Sequence, residues 1–136
     1  MTTAIPALEE LTAPASWPEA LKAEFKRNTL NGRIGSRLVS ETERVRVWLI
    51  ALEPGERLPL HRHVLDYFWT ATSPGKARSH NVNGTTSELS YAVGDTKHLS
   101  FAAGQSMIHD LENVGDTRLT FTTVEHKQSA NAPLPL

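Results

Sequence analysis

From Arg33 onward the chain alternates apolar and polar residues in short runs, and nearly every run is cut by Gly, Pro, Asn or Asp. A period of two places alternate side chains on opposite faces of a strand, so each run reads as a half-buried β-strand. Arg44 to Leu52 shows it best: Val45, Val47, Leu49 and Ala51 alternate with Arg46, Trp48 and Ile50. Further strands are expected at Arg33 to Val39, from the Pro54-Gly55 turn through the histidines to the Ser73-Pro74-Gly75 break, and at Ala77 to Val82, Ser87 to Val93, Thr96 to Phe101, Met107 to Asn113 and Arg118 to Glu125. Asn83-Gly84 reads as a two-residue hairpin turn. So many short strands, with one helical stretch before them, predict an all-β sandwich or barrel.

The helical stretch is N-terminal. Residues 1–15 hold two prolines and no period, and read as a loose or partner-packed arm. Ser16-Trp17-Pro18-Glu19 has the pattern of a capping box, with Ser16 as N-cap. A helix through Lys26 would then place Trp17, Leu21 and Phe25 on one face. The tail, Ala130 to Leu136, holds two prolines and should extend over the surface. The expected organisation is an N-terminal arm, helix and first strand at 1–39, a barrel at 40–127 and an extended tail at 128–136.

Composition narrows the partners. The 136 residues suit one domain that can bury a core without staples. With no cysteine, disulfides and thiolate ligands are excluded. Fourteen basic and fifteen acidic residues leave a net charge of -1, which argues against nucleic acid and against a charged membrane surface. The first ten residues lack the basic and apolar regions of a leader, and Val47 to Leu52 is too short to span a bilayer. A cytoplasmic location is the expectation.

Chemistry concentrates in Gly55-Glu-Arg-Leu-Pro-Leu-His61-Arg-His63. Histidines one residue apart on a strand share a face, and both imidazoles can reach one metal ion. A third ligand must come from His80, His98, His109 or His126. Gly, five residues, then His-x-His is the first half of the cupin signature. His109-Asp-Leu-Glu-Asn113, following a Gly94-Asp95 turn, is similar to the second half. The chain thus resembles small single-domain cupins of the RmlC-like superfamily over about residues 40–127. The resemblance implies a double-stranded β-helix, or jelly-roll barrel, with His109 as third ligand. Two features depart from the family pattern. The Glu that cupins carry four or five residues after the second His is replaced by Tyr67 and Phe68. The interval from Gly94 to His109 is long, and the usual Pro-x-Gly turn reads Ala103-Gly104-Gln105.

Without that Glu, the site resembles three-histidine cupins that bind Fe(II) and oxidise thiols or diketones. One divalent transition metal is expected, Fe(II) foremost, with Zn, Ni, Mn or Cu also compatible with imidazole ligands. The activity implied is a dioxygenase for a small chelating substrate. A redox-neutral lyase, isomerase or hydrolase, or a small-molecule binder, would use the same barrel. Tyr67 would share the histidine face of one continuous strand and act as a catalytic hydrogen-bond donor, with Trp69 beside it as substrate wall or core. Leu65 and Trp69 would supply an apolar surround. Arg46 and Arg78 could reach a substrate carboxylate. His98 would lie near the pocket, and His80 at the barrel mouth or in solvent. His126 would lie on the surface, and Asp66 in a salt bridge. Cupins of this kind commonly pair, so a homodimer through edge strands is expected.

Overall fold

The computed structural model describes residues 7–136. The first part of the expected arm, with most of the stretch read as lacking a leader, lies outside the described residues. In chain order come α1 (Glu19–Asn28), β1 (Arg37–Glu41), β2 (Val45–Leu52), β3 (Arg57–His63), β4 (Tyr67–Ala71), β5 (Gly75–His80), β6 (Thr86–Tyr91), β7 (Thr96–Leu99), β8 (Met107–Asn113) and β9 (Leu119–His126). The strands form two antiparallel sheets, ordered β1-β2-β9-β4-β7 and β3-β8-β5-β6. Their inner faces meet as a jelly roll. One part of the interior is filled by Ile50, Leu52, Leu58, Ala71, Ala77, Leu119 and Phe121.

The alternation in β2 resolves as expected, with a notable choice of face. Arg46, Trp48, Ile50 and Leu52 are buried, and the Val45-Val47-Leu49-Ala51 set is only half buried. Expected strands and observed ones agree to within a few residues, apart from two regions. The first strand begins at Arg37 rather than Arg33, so it straddles the expected boundary after residue 39. The stretch read as one long histidine strand is two. β3 ends at His63, Val64 to Asp66 turn a corner, and β4 opens in the other sheet. The corner is buried, with Val64 and Leu65 packed on Leu134.

The helix is capped differently from the expected pattern. Pro18 is the N-cap, and no side chain bonds the first turn. Ser16 instead lies in a turn closed by Trp17 N–H donating to Pro14 O at 3.1 Å, which places it too early to reach α1. The apolar face holds: Trp17 and Phe25 bury themselves against Leu60 and Ile108, with Leu21 beside them, on the outer face of the β3–β8 sheet. The Asn83-Gly84 hairpin also forms, but not as a two-residue turn. Such a type I′ turn needs positive φ at both positions. Gly84 has φ 94°, whereas no non-glycine among the described residues has a positive φ. The turn is instead Asn81 to Gly84, and Asn81 N–H donates to Thr85 O at 2.9 Å.

Both ends of the described residues are tied to the barrel. Glu9 N–H donates to Gly104 O, and Arg62 reaches Glu9 O. In the tail, buried Asn131 donates to Val64 O, Ala102 O and Gln105 O and accepts from Gly104 N–H.

Candidate metal centre

The centre is built by a bulge. Along β3 the side chains that face inward are Leu58, His61 and His63, and Leu60 and Arg62 face the helix side. Strict alternation would put Leu58 and His61 on opposite faces. The pairing of β3 with β8 shifts between Leu58 and His61, and Pro59 sits in that shift, where its missing N–H costs no ladder bond. The extra residue turns both histidines into the barrel. It also presents the Pro59 carbonyl to His61, whose Nδ1 lies 2.8 Å away and donates to it. His61 Nε2 is thereby left as a free lone pair.

β8 delivers the third imidazole by register. His109 pairs directly with His61, and Met107, His109 and Leu111 face inward. Asn113, the other residue of the second motif, does not touch the centre. Fully buried, it donates to Leu52 O and Thr117 O and accepts from Gly115 N–H, which fixes the end of β8. Its backbone also pairs with the Gly55 turn that opens the first motif.

His61, His63 and His109 offer ligand atoms that all lie within 4.8 Å of one another. The Nε2 atoms of His63 and His109 are 3.1 Å apart. Two ligands held about 2.0–2.1 Å from one ion at a near-right angle stand roughly 3 Å apart. Burial holds all three imidazoles neutral. His61 is pushed down to about 4, and His63 and His109 are well below the usual value, with neighbouring imidazoles adding to the effect. Neutral, converging lone pairs fit a divalent cation. His63 Nδ1 is the one buried side-chain polar atom without a hydrogen bond among the described residues. Its ring is fixed instead by stacking on Tyr67, with centroids 4.1 Å apart and planes 10° apart.

The histidines open into a cavity of about 170 Å³. Tyr67 and Trp69 line it from β4. Burial raises the Tyr67 hydroxyl well above its usual pKa, so it stays protonated and able to donate. Trp69 packs edge-to-face on Tyr91 and Phe121. Arg46, Arg78, His98 and Leu65 do not line the cavity. Arg46 is buried elsewhere, on Glu41 and Leu134 O. Arg78 faces Glu88 and Glu112 on the outer side of its sheet. His98 is exposed against Phe68, because alternation in β7 sends Lys97 and Leu99 inward. Leu65 belongs to the corner under the tail. His80 is turned outward to Asp110, His126 is exposed, and the Asp66 carboxylate accepts Phe101 N–H.

Two charged residues escaped the sequence reading. Lys97 lines the cavity from β7. Glu125 is buried one strand over from Tyr67, where it accepts Trp48 Nε1–H at 2.7 Å, and burial raises its carboxyl to about 7. Their only signal is parity: Lys97 precedes His98, and Glu125 continues the buried Phe121-Thr123 series.

These shifts set the acid response of the metal-free protein. Between pH 6.5 and 4 the unfolded chain binds protons on His61, His63 and His109 that the folded chain refuses, so stability falls as pH falls. For His61, a shift from 6.5 to about 4 corresponds to about 3 kcal/mol once the pH is below 4. Glu125 acts oppositely, since the folded chain takes its proton first between 7 and 4.5. Three groups outweigh one. The melting midpoint is expected to drop across this window, and more steeply in Glu125→Gln. Calorimetry at stepped pH checks this; a flat or rising midpoint contradicts it.

No helix is long and apolar enough to cross a membrane among the described residues. No protein-family model matches the chain. Oxalate decarboxylase of Bacillus subtilis (strain 168) is 33% identical over 78 residues, which are 56% of this chain and 19% of that protein, so the match spans about a fifth of the relative. A cupin domain from Bordetella pertussis Tohama I superposes with a TM-score of 0.59 at 23% identity, covering 67% of this chain and 90% of the other. An RmlC-like cupin from Methanocaldococcus jannaschii gives 0.54 at 20% identity, covering 73% and 79%. A double-stranded β-helix protein from Klebsiella pneumoniae gives 0.52 at 26%, covering 71% and 74%.

Proposed function

We propose that this chain, a cupin by fold, is a metal-dependent enzyme in which His61, His63 and His109 hold one divalent transition metal beside a small chelating substrate. The convergence of three neutral imidazoles, two buried and one half-buried, on one point carries the reading. Three protein ligands leave open positions, the arrangement of a catalytic site and not of a closed structural one. Held there, such an ion would polarise a chelated substrate and, if redox-active, would exchange electrons with it.

The protein's own contribution is positioning and exclusion. Trp69, Tyr91 and Phe121 wall the cavity and keep bulk water from the chelating end of the substrate. Tyr67 holds its proton across neutral pH, lines the cavity and stacks on His63, so it is the donor available where charge would develop on the substrate. The absence of a carboxylate from the ligand set supports the reading of an Fe(II) dioxygenase. The partial match to oxalate decarboxylase favours a second reading, carbon–carbon cleavage of a small carboxylic acid. Loading the metal-free protein anaerobically with Fe(II) or Zn(II), then assaying thiol, diketone and 2-hydroxy- or 2-oxo-acid panels, separates the two. Oxygen uptake confined to iron supports the dioxygenase. Release of carbon dioxide without net oxygen use supports the lyase, and no turnover with either metal counts against both.

Tyr67→Phe keeps the ring that stacks on His63 and removes only the donor. Turnover should fall roughly 100- to 1,000-fold with metal content unchanged, the usual consequence of losing one donor aimed at developing charge. Metal analysis and kcat measured on the same sample check this, and unchanged turnover would remove Tyr67 from the mechanism.

A further inference from the structure

Lys97 stands on β7 at the exposed rim of the cavity, paired across the ladder with Trp69. It borders both the histidine cavity and the groove next to it, beside Asn81 and Met107. Nothing of opposite charge answers it. Among the described residues no Asp or Glu lines the cavity, and Lys97 makes no ion pair. The three imidazoles bring no negative charge either, so a divalent ion there would keep its full charge of two. With the ion bound, the site would be electropositive at both its floor and its rim. The rest of the lining is mostly apolar, chiefly Ile50, Leu58, Trp69, Leu99 and Phe121, with Ser79, Asn81, Ser87 and Thr123 as its neutral polar members.

Charge at two ends and an apolar middle specify a ligand. Oxalate has two charges but no apolar body. An apolar cavity of roughly 150 Å³ accepts a ring the size of benzene, and this one, at about 170 Å³, has room for several methylene groups beyond a chelating end. A lysine rim suits such a ligand, because its stem lies along apolar wall while the ammonium stays hydrated as a point charge.

We propose that Lys97 is the specificity-determining residue of this site and that the substrate is an organic dianion: a chelating 2-oxo or 2-hydroxy carboxylate for the histidine centre, a short apolar body, and a second carboxylate for Lys97. This rests on the metal reading above. The test uses Lys97→Met, which keeps the stem and removes the charge at an exposed position. Zinc-loaded protein is titrated calorimetrically with 2-oxoadipate and with 2-oxohexanoate, which carries a methyl in place of the far carboxylate. Metal content is measured on every sample.

The unaltered protein should bind 2-oxoadipate at least about tenfold more tightly, equivalent to ~1.4 kcal/mol. Lys97→Met should lose that preference while binding 2-oxohexanoate as before. Added salt should weaken the diacid selectively. If metal is held normally but Lys97→Met binds the diacid as tightly as the unaltered protein, or weakens both acids equally, the Lys97 assignment is overturned and the metal centre stands. If the unaltered protein takes up no metal, the parent reading fails first.

Discussion

Alanine at His61, His63 or His109 should leave the protein folded and nearly unable to retain a divalent metal. The three side chains supply every ligand atom of the cluster, so each substitution removes a third of the donor set. Loss of an outer-shell partner alone commonly lowers metal affinity by roughly 10–100-fold, and loss of a direct ligand should exceed that. Folding should survive because the apolar clusters are complete without an ion. A metal at about 1,000 times its Kd adds ~4 kcal/mol to stability, so the unaltered protein should melt higher on metal addition and the variants should not. His126→Ala and His98→Ala, exposed and outside the cavity, should behave as the unaltered protein does. Elemental analysis after desalting, with paired melting curves, reads both effects. Full metal retention in His109→Ala together with loss in His98→Ala would mean that the third ligand is misassigned.

Much of this was legible in the sequence because it depends on local periodicity. Alternation located most strands, turn residues separated them, and the His-x-His spacing with the later His109 marked the centre. What stayed hidden depends on pairings distant in sequence. The shift at Pro59 that turns Leu58 and His61 to one face is a property of β3 against β8. The corner at Val64 to Asp66 is made by burial under Leu134, far along the chain, and an apolar run cannot reveal it. Because of that corner Tyr67 reaches the histidines from the opposite sheet. Charges misled for a similar reason. Arginine and lysine on strands usually point to solvent, so nothing local distinguishes Lys97, which faces the cavity, from Arg78, which faces two glutamates on the other side. Arg46 and Glu125 sit opposite each other on neighbouring strands and are both buried, a pairing visible only once the sheet is assembled.

The same contrast predicts the largest stability effect away from the metal. β8 alternates His109, turned into the barrel, with Asp110, turned out beneath α1 and fully buried. Asp110 accepts Arg57 Nε–H at 2.8 Å, His80 N–H at 2.6 Å and His80 Nδ1–H at 3.0 Å. Arg57 also forks onto Glu24 of the helix, and Glu24 accepts Leu60 N–H. Its guanidinium holds the Glu24 carboxyl below its usual pKa. One arginine thus clamps α1, β3 and β8 directly, with β5 joined through Asp110, behind the strands that carry the histidines. Arg57→Met would leave the fully buried Asp110 without its main countercharge. Removing one partner of a buried pair costs about 3–5 kcal/mol; with the Arg57 side chain 28% exposed, the lower end, about 3 kcal/mol, is expected. For a domain of this size that lowers the melting midpoint by roughly 10 °C. Asp110→Asn in the Arg57→Met background should recover part of the loss, since an amide needs no countercharge. Denaturant and thermal unfolding of the single and double variants decide the matter. A midpoint within about 2 °C of the unaltered protein, or a double variant worse than the sum of its parts, would show that the clamp does not hold the histidine strands together.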